Sequence, residues 1–479
     1  MEYSPPLIPN LRLQLLLPLR LLLRIISIAV VLRHSAATSY PKQALPHKSG
    51  YLTVNSTSGS AIYYTYYEAQ NPHKNTPISN TPILIWLEGG PGCASMTANY
   101  FQIGPWIVNQ NLSLEPNPGP WNNIFGLLFL DNPIGTGFSI AASPQEIPRN
   151  QNDVAKHLYI AIKKFIALDE LFENRPIYIT GESYAGKYIP AIGYYILKKN
   201  RDVSSDSRVN LAGVAIGNAL VDPELQVVTH AVNTYNLGLI NDEQKTLLEK
   251  LQLETVGFVR RGNWSDAINA RNRVLDTLTN MTGLATLLDF RRLIPYQDSV
   301  VDKFLNNVEI KMALGVSESL VFKGCSDTVA DALNDDMMKS VRDMVEYLVK
   351  EIRVLLYQGQ CDLLDGVVSN LAWVKKMKWE GIKRFLEAER KVWRVDGKLA
   401  GYVQKSGSLS NVVVMNAGHL VPSDQHVNSQ VMIQDWVLER KLFAGEKNED
   451  ITNDFKDLEG SSVWFKSNLA TITSPYATF

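Results

Sequence analysis

The sequence predicts an α/β fold: a central, mostly parallel sheet with helices on both faces and an inserted helical lid. Three observations in the 479-residue chain carry that prediction. Short apolar, β-rich runs alternate with helical patterns from residue 82 to 222, and strand and helix taking turns build a parallel sheet covered on both sides. From 222 to about 324 the alternation stops, and helical segments rich in Leu, Asn and Arg follow one another. At residue 352 it resumes.

In chain order, "PILIWLEGG" (82–90) reads as a buried strand that runs into a Gly-rich loop, and "FGLLFLDNP" (125–133) as another strand. "DVAKHLYIAIKKFIAL" (153–168) has helical periodicity and follows Asn152, a candidate cap. "RPIYITGES" (175–183) is a strand, "YAGKYIPAIGYYILKK" (184–199) a helix, and "NLAGVAIGNALVD" (210–222) a strand with a turn. Beyond the insertion, "IRVLLYQGQCD" (352–362) and "NVVVMNAGHLVP" (411–422) are strands, and a last helix covers about 423–438. The remainder, 441–479, is polar and weakly patterned. The expected organisation is therefore a signal over 1–37, one α/β domain over 38–440 with its helical insertion at about 222–324, and a tail over 441–479.

Composition narrows the class. Hydrophobic residues are 45%, charged residues 20% and the formal net charge is −1, which describes an ordinary globular chain with no basic excess for nucleic acid. The three Cys and seven His show no metal-like spacing, so no metal and no cofactor is expected. The N-terminal stretch "LRLQLLLPLRLLLRIISIAVVLRHSAATS" is basic, then apolar, then small, and reads as a secretory signal ending near Ala37, with a short signal anchor as the alternative. No later stretch is long enough to span a bilayer, so no stable membrane association is expected after signal removal. Four glycosylation triplets, at Asn55, Asn111, Asn263 and Asn280, agree with a secretory route. In an oxidising compartment three Cys allow one bridge and leave one thiol.

The chemistry lies at strand ends. A hydroxyl is a poor nucleophile unless a base reaches it and an acid orients the base. Ser183 follows one strand, Asp362 a second and His419 a third, in the chain order of α/β-hydrolase triads. Gly181 and Ala185 supply the small residues that a tight strand-to-helix turn needs on either side of a nucleophile. Ser183 as a plain helix cap is the competing reading, and the placement of Asp362 and His419 argues against it. Asp365 is a rival to Asp362 but suits a turn or helix start better. Donors for an oxyanion are the backbone N–H of Tyr184 and one from the loop "EGGPGC" (88–93), at Gly90.

Together "WLEGGPGCAS", "FQIGP", "DNPIGTGFS", "TGESYAGKYIP", "GVAIGNALVDP", "YQGQCDLL" and "NAGHLVP" resemble the serine carboxypeptidase family, including its plant serine carboxypeptidase-like proteins, from about Gly50 to Leu438. The resemblance implies an α/β-hydrolase fold and an acyl-enzyme mechanism that releases C-terminal amino acids from peptides and proteins at acidic pH. It implies Ser183 as nucleophile, His419 as base, Asp362 as its orienting acid, and Gly90 and Tyr184 as the oxyanion hole. It implies a Cys93–Cys325 bridge, which leaves Cys361 as a buried, inert thiol. Leu420, just after His419, is expected to shape the leaving-group pocket, with simple packing as the alternative. In the family the substrate carboxylate is held by an Asn, a Gly N–H and two Glu. Here Gly89 and Glu182 match, whereas Glu88 stands at the Asn position and Gln102 at the other Glu position. Two acids near a substrate carboxylate must share protons, so activity is expected to fall steeply as pH rises. The alternatives are an acyltransferase using activated sugar esters and a non-catalytic binding protein on the same scaffold. Expected partners are peptide or protein C-termini; a homodimer is compatible with the sequence, and the vacuole and the cell exterior are both open as destinations.

Overall fold

Runs of consecutive apolar residues become the strands at the centre of the molecule, which a computed structural model describes over residues 40–72 and 76–444. The expected signal and residues 445–479 of the expected tail lie outside the described residues. The strands are β1 (Lys48–Thr53), β2 (Ala61–Tyr67), β3 (Ile83–Leu87), β4 (Trp106–Val108), β5 (Leu114–Pro116), β6 (Gly126–Leu130), β7 (Ile177–Glu182), β8 (Leu211–Gly217), β9 (Arg353–Gly359), β10 (Arg390–Val395), β11 (Lys398–Ser406) and β12 (Leu409–Val414). Ten of them form one sheet in the order β1-β2-β6-β3-β7-β8-β9-β12-β11-β10, and β4 pairs with β5 alone. The six strands from β6 to β12 run parallel, and antiparallel strands finish both edges.

Strand β3 shows why the central strands are apolar throughout. Side chains alternate between the two faces of a sheet, and both faces are covered here. Ile83, Ile85 and Leu87 pack into one core with the helices Gln151–Ile166, Ala185–Asp202 and Arg342–Glu351, whereas Leu84 and Trp86 pack into the opposite core. There Trp86 meets Trp121 edge to face, with ring centroids 5.4 Å apart. Replacing the fully buried Trp86 by Ala costs about 3–5 kcal/mol by the cavity rule.

The helix expected after Asn152 starts two residues earlier, at Gln151. Its cap is Asn150, whose side chain accepts the Asp153 N–H at 3.0 Å, which satisfies one of the free N–H groups of the first turn. Between β8 and β9 the regular segments are helices, from Pro223–Val227 to Arg342–Glu351. The last of these packs against Ala185–Asp202, where a Cβ at Gly193 would lie 3.1 Å from Leu348. A Cys93–Cys325 disulfide ties the loop after β3 to this helical region across 232 residues. Backbone bonds on either side, Ala94 N–H to Gly324 O and Ser326 N–H to Gly92 O, align the two segments.

Candidate active site

Parallel strands bring the loops after β3, β7, β9 and β12 to one edge of the sheet. In register, Leu87 pairs with Gly181, Glu182 with Gly217, and Gly359 with Val414. Ser183 stands directly after β7 at φ 63°, in the left-handed region. That conformation costs a non-Gly residue about 1–3 kcal/mol unless its surroundings hold it. Here the Ser183 N–H donates to Gly217 O, and the Ser183 carbonyl accepts from the N–H groups of Gly186 and Leu220. The turn is too tight for side chains. A Cβ at Gly181 would lie 2.0 Å from Leu87 O and 3.1 Å from the Ala185 Cβ, so both flanking positions must be small.

Asp362 and His419 meet beside it. His419 Nδ1 lies 2.7 Å from Asp362 Oδ2, and both side chains are buried. A Cβ at Gly359 would lie 1.9 Å from Gly418 O, which shows how closely the acid and histidine loops pack. Asp362 is an acceptor in every hydrogen bond described. It takes Asn218 Nδ2 at 2.6 Å, the Leu364 N–H at 2.7 Å and the Asp365 N–H at 3.3 Å. Nδ1 of His419 must therefore carry the proton, which leaves Nε2 as the free acceptor. Burial pulls the imidazole down, but the Asp362 charge and hydrogen bond outweigh it and hold His419 above its ordinary value. Asp365 instead accepts from Gln226 at 3.0 Å and lies 3.8 Å from Arg271.

Ser183, His419 and Gly90 share the wall of a cavity of about 360 Å³. A Cβ at Gly89 would lie 2.6 Å from the Ser183 Cβ and 2.8 Å from the Tyr184 N, so the Gly-rich loop lies against the turn itself. Among the described residues neither the Gly90 nor the Tyr184 N–H has a backbone acceptor.

The four groups expected at a substrate carboxylate divide. Glu88 and Gln102 line the cavity, whereas Gly89 and Glu182 do not. Glu182 is fully buried behind them and accepts Gln102 Nε2 at 2.7 Å. The Gly89 N–H is taken by the carboxylate of Glu88 itself at 3.2 Å, and Trp86 Nε1 donates to the other oxygen at 3.1 Å. Burial pushes Glu88 up to about 7. Burial first, and then the Glu88 charge, push Glu182 well above the usual carboxyl range. The two acids therefore hold protons in mildly acidic solution.

Residues 39–439 match the family described as serine carboxypeptidase. The chain belongs to the serine carboxypeptidase family. It is 52% identical to "Serine carboxypeptidase-like 50" of Arabidopsis thaliana over 90% of this chain and 97% of that protein. It is 32% identical to "Probable serine carboxypeptidase CPVL" of Homo sapiens over 83% and 84%. Among solved structures it resembles Kex1(delta)p, a prohormone-processing carboxypeptidase from Saccharomyces cerevisiae. The TM-score is 0.75 and the identity 24%, covering 84% of this chain and 93% of that one, which shows the α/β-hydrolase fold. The chain is thus a serine carboxypeptidase-family hydrolase.

Within this serine carboxypeptidase framework several residues were not legible beforehand. Asn218 lay inside the quoted "GVAIGNALVDP" but was given no role. Its side chain donates to Asp362 and accepts the Gly359 N–H at 3.1 Å, bridging the acid to the end of β9. Asp424 accepts the Gly418 N–H at 2.7 Å, Tyr296 Oη at 2.6 Å and an Arg292 nitrogen at 2.7 Å, and so braces the histidine loop against the helical region. Cys361 is buried and unbridged, and burial pushes its thiol up to about 11, where it is a poor nucleophile. Asn111, Asn263 and Asn280 are exposed, while Asn55 is half-buried with its Nδ2 3.3 Å from Glu146. No helix among the described residues is long and apolar enough to cross a membrane.

Proposed function

We propose that this protein is an acid carboxypeptidase that removes C-terminal amino acids from peptides by a Ser183–His419–Asp362 triad. The observation that supports it most is the buried His419–Asp362 pair opening onto the same cavity as Ser183. Ser183 Oγ attacks the last peptide carbonyl while His419 Nε2 takes its proton. The Gly90 and Tyr184 N–H groups stabilise the tetrahedral oxyanion. His419 then passes the proton to the departing amine, and the C–N bond breaks to leave an ester on Ser183. Water, deprotonated by His419, attacks that ester and restores Ser183. Protonated Glu88, and Glu182 acting through Gln102, make the cavity tolerant of a substrate carboxylate.

The acidic pH range follows from opposing titrations. Above about pH 7 Glu88 carries charge and repels the substrate carboxylate. Below that, His419 must stay neutral to act as base. Two charges that lift it, those of Asp365 and Glu88, belong to carboxyls raised to about 6 and about 7. In acid both are lost, and the lift on His419 shrinks with them.

One observation favours a second reading. The Gly89 N–H, expected at the substrate carboxylate, is occupied by Glu88, so an acyltransferase using activated sugar esters stays in play. The purified, glycosylated protein and a panel of N-blocked dipeptides separate the two, with Ser183→Ala as control. Release of the C-terminal amino acid that the variant abolishes supports the peptidase. No release from any peptide, with Ser183 still labelled by a fluorophosphonate, points to ester donors and alcohol acceptors. The N-terminal signal, the glycosylation triplets and the disulfide support a secretory route, ending in the vacuole or outside the cell.

A further inference from the structure

We propose that Asp298 and Asp302 make the leaving-group side of the cavity a receptor for a cationic side chain, so that C-terminal arginine and lysine are released in preference to neutral residues. This assignment rests on the carboxypeptidase reading of the same site. Among the described residues, three carboxyl groups line the cavity, those of Glu88, Asp298 and Asp302, and no Lys or Arg does. Asp298 and Asp302 stand four residues apart at the start of the helix Ser299–Leu305, and so share one face. Burial first, and then the charge of Asp302, raise Asp298. Burial raises Asp302, whose described partner is the Gly324 N–H at 3.1 Å.

Other acids around the site are treated differently. Asp289 pairs with Arg291 at 2.6 Å and Asp424 with Arg292 at 2.7 Å. Among the described residues, the two aspartates facing the cavity have no such cation. A second observation points to a ligand with donors. Gln102 is 2% exposed and lines the cavity, yet its Oε1 has no partner among the described residues. An ammonium or guanidinium brings N–H donors and positive charge together.

The position selects the departing residue. Glu88, expected near the substrate carboxylate, feels the charge of Asp298. Asp302 is tied to Gly324, next to the Cys93–Cys325 bridge, and Gln102 directly follows the helix Ser95–Phe101 that starts just after Cys93. The acid pair therefore lies on the same side as the groups for the C-terminal carboxylate. Phe101 and Leu420 on the cavity wall offer apolar surface to the methylenes of a long basic side chain.

The test compares kcat/KM for N-blocked dipeptides that share a penultimate residue and end in Arg, Lys, Leu or Glu, using the full glycosylated chain. Arg and Lys are expected to exceed Leu by about tenfold or more, with the margin shrinking as salt is added. In Asp298→Asn/Asp302→Asn the Arg-to-Leu ratio is expected to fall about tenfold; the single variants, each giving part of that fall, serve if the double variant does not fold. Leu processed as well as Arg by the unaltered enzyme, or a ratio untouched in the variants, overturns the proposal. Calorimetric binding of the same dipeptides to Ser183→Ala gives a readout that needs no catalysis. Tighter binding of the Arg dipeptide without hydrolysis by the unaltered protein would sink the peptidase reading and leave the cationic pocket standing. Hydrolysis with no preference for Arg or Lys would do the reverse.

Discussion

Asn218 holds Asp362 in place with a buried hydrogen bond of 2.6 Å, and its second contact fixes the backbone at Gly359. A hydrogen bond to a charged group is worth about 1.5–3 kcal/mol, so Asn218→Ala is expected to lower kcat by about 10–100-fold. KM should change little, because Asn218 does not line the cavity. Steady-state kinetics that show a raised KM with unchanged kcat would remove it from this positioning role. Glu88 makes a different prediction. Its charge raises both Glu182 and His419. With Glu88→Gln, one of the two protons lost on the alkaline side disappears. The fall of kcat/KM with rising pH should therefore go from nearly two protons to about one. An unchanged slope would mean that Glu88 does not titrate in the working range. At this scale the gathering of Ser183, Asp362 and His419 at one end of the sheet was legible because each follows a strand at a turn. The engagement of the Gly89 N–H by Glu88 was not, because it depends on a side-chain rotamer that no pattern encodes.

At the scale of elements, the turn after β7 and the Gly-rich loop after β3 act as one unit, because Gly89 lies against Ser183 and Tyr184 with no room for a Cβ. Gly89→Ala is expected to push the proposed oxyanion donors at Gly90 and Tyr184 apart, with a loss of about 10²–10³ in kcat, the cost of removing one such donor. Activity within about threefold of the original would show that the loop is free to shift, since removing a true donor costs far more. The central strands could be read from the sequence because both their faces are buried and their apolar runs are continuous. Other strands could not. Arg390–Val395 and Lys398–Ser406 form an edge hairpin whose apolar runs are short and bounded by basic and polar residues, as suits a sheet edge that must not recruit another strand. Lys48–Thr53 is half-buried and equally weak in pattern. The Asn150 cap was missed for a smaller reason: Asn150 and Asn152 are both capable, and only the geometry shows which accepts the Asp153 N–H.

For the whole molecule, burial of several carboxyls links stability to pH. Burial pushes Glu88 and Asp131 up to about 7 and Asp365 up to about 6, and Glu182 goes higher. Unfolded, such groups titrate near about pH 4. Their contribution is complete below that value and is lost as pH rises through the folded values, because the folded state then binds protons the unfolded chain has released. His230, pushed down to about 4 by burial, works the other way and costs stability as pH falls from its ordinary range. The carboxyls outnumber it, so Tm should drop by at least about 2–4 °C between mildly acidic and mildly alkaline buffer. A Tm that rises over that interval would contradict the assigned protonation of the buried acids.

The most direct test is the pH dependence of kcat/KM for C-terminal amino-acid release, measured on the glycosylated protein beside Ser183→Ala. The triad and its proton-sharing acids predict release in acid that falls steeply as pH rises through about 7, where Glu88 loses its proton, and no release from the variant. A profile flat from acid to neutral, or release that survives the loss of the Ser183 hydroxyl, would contradict it.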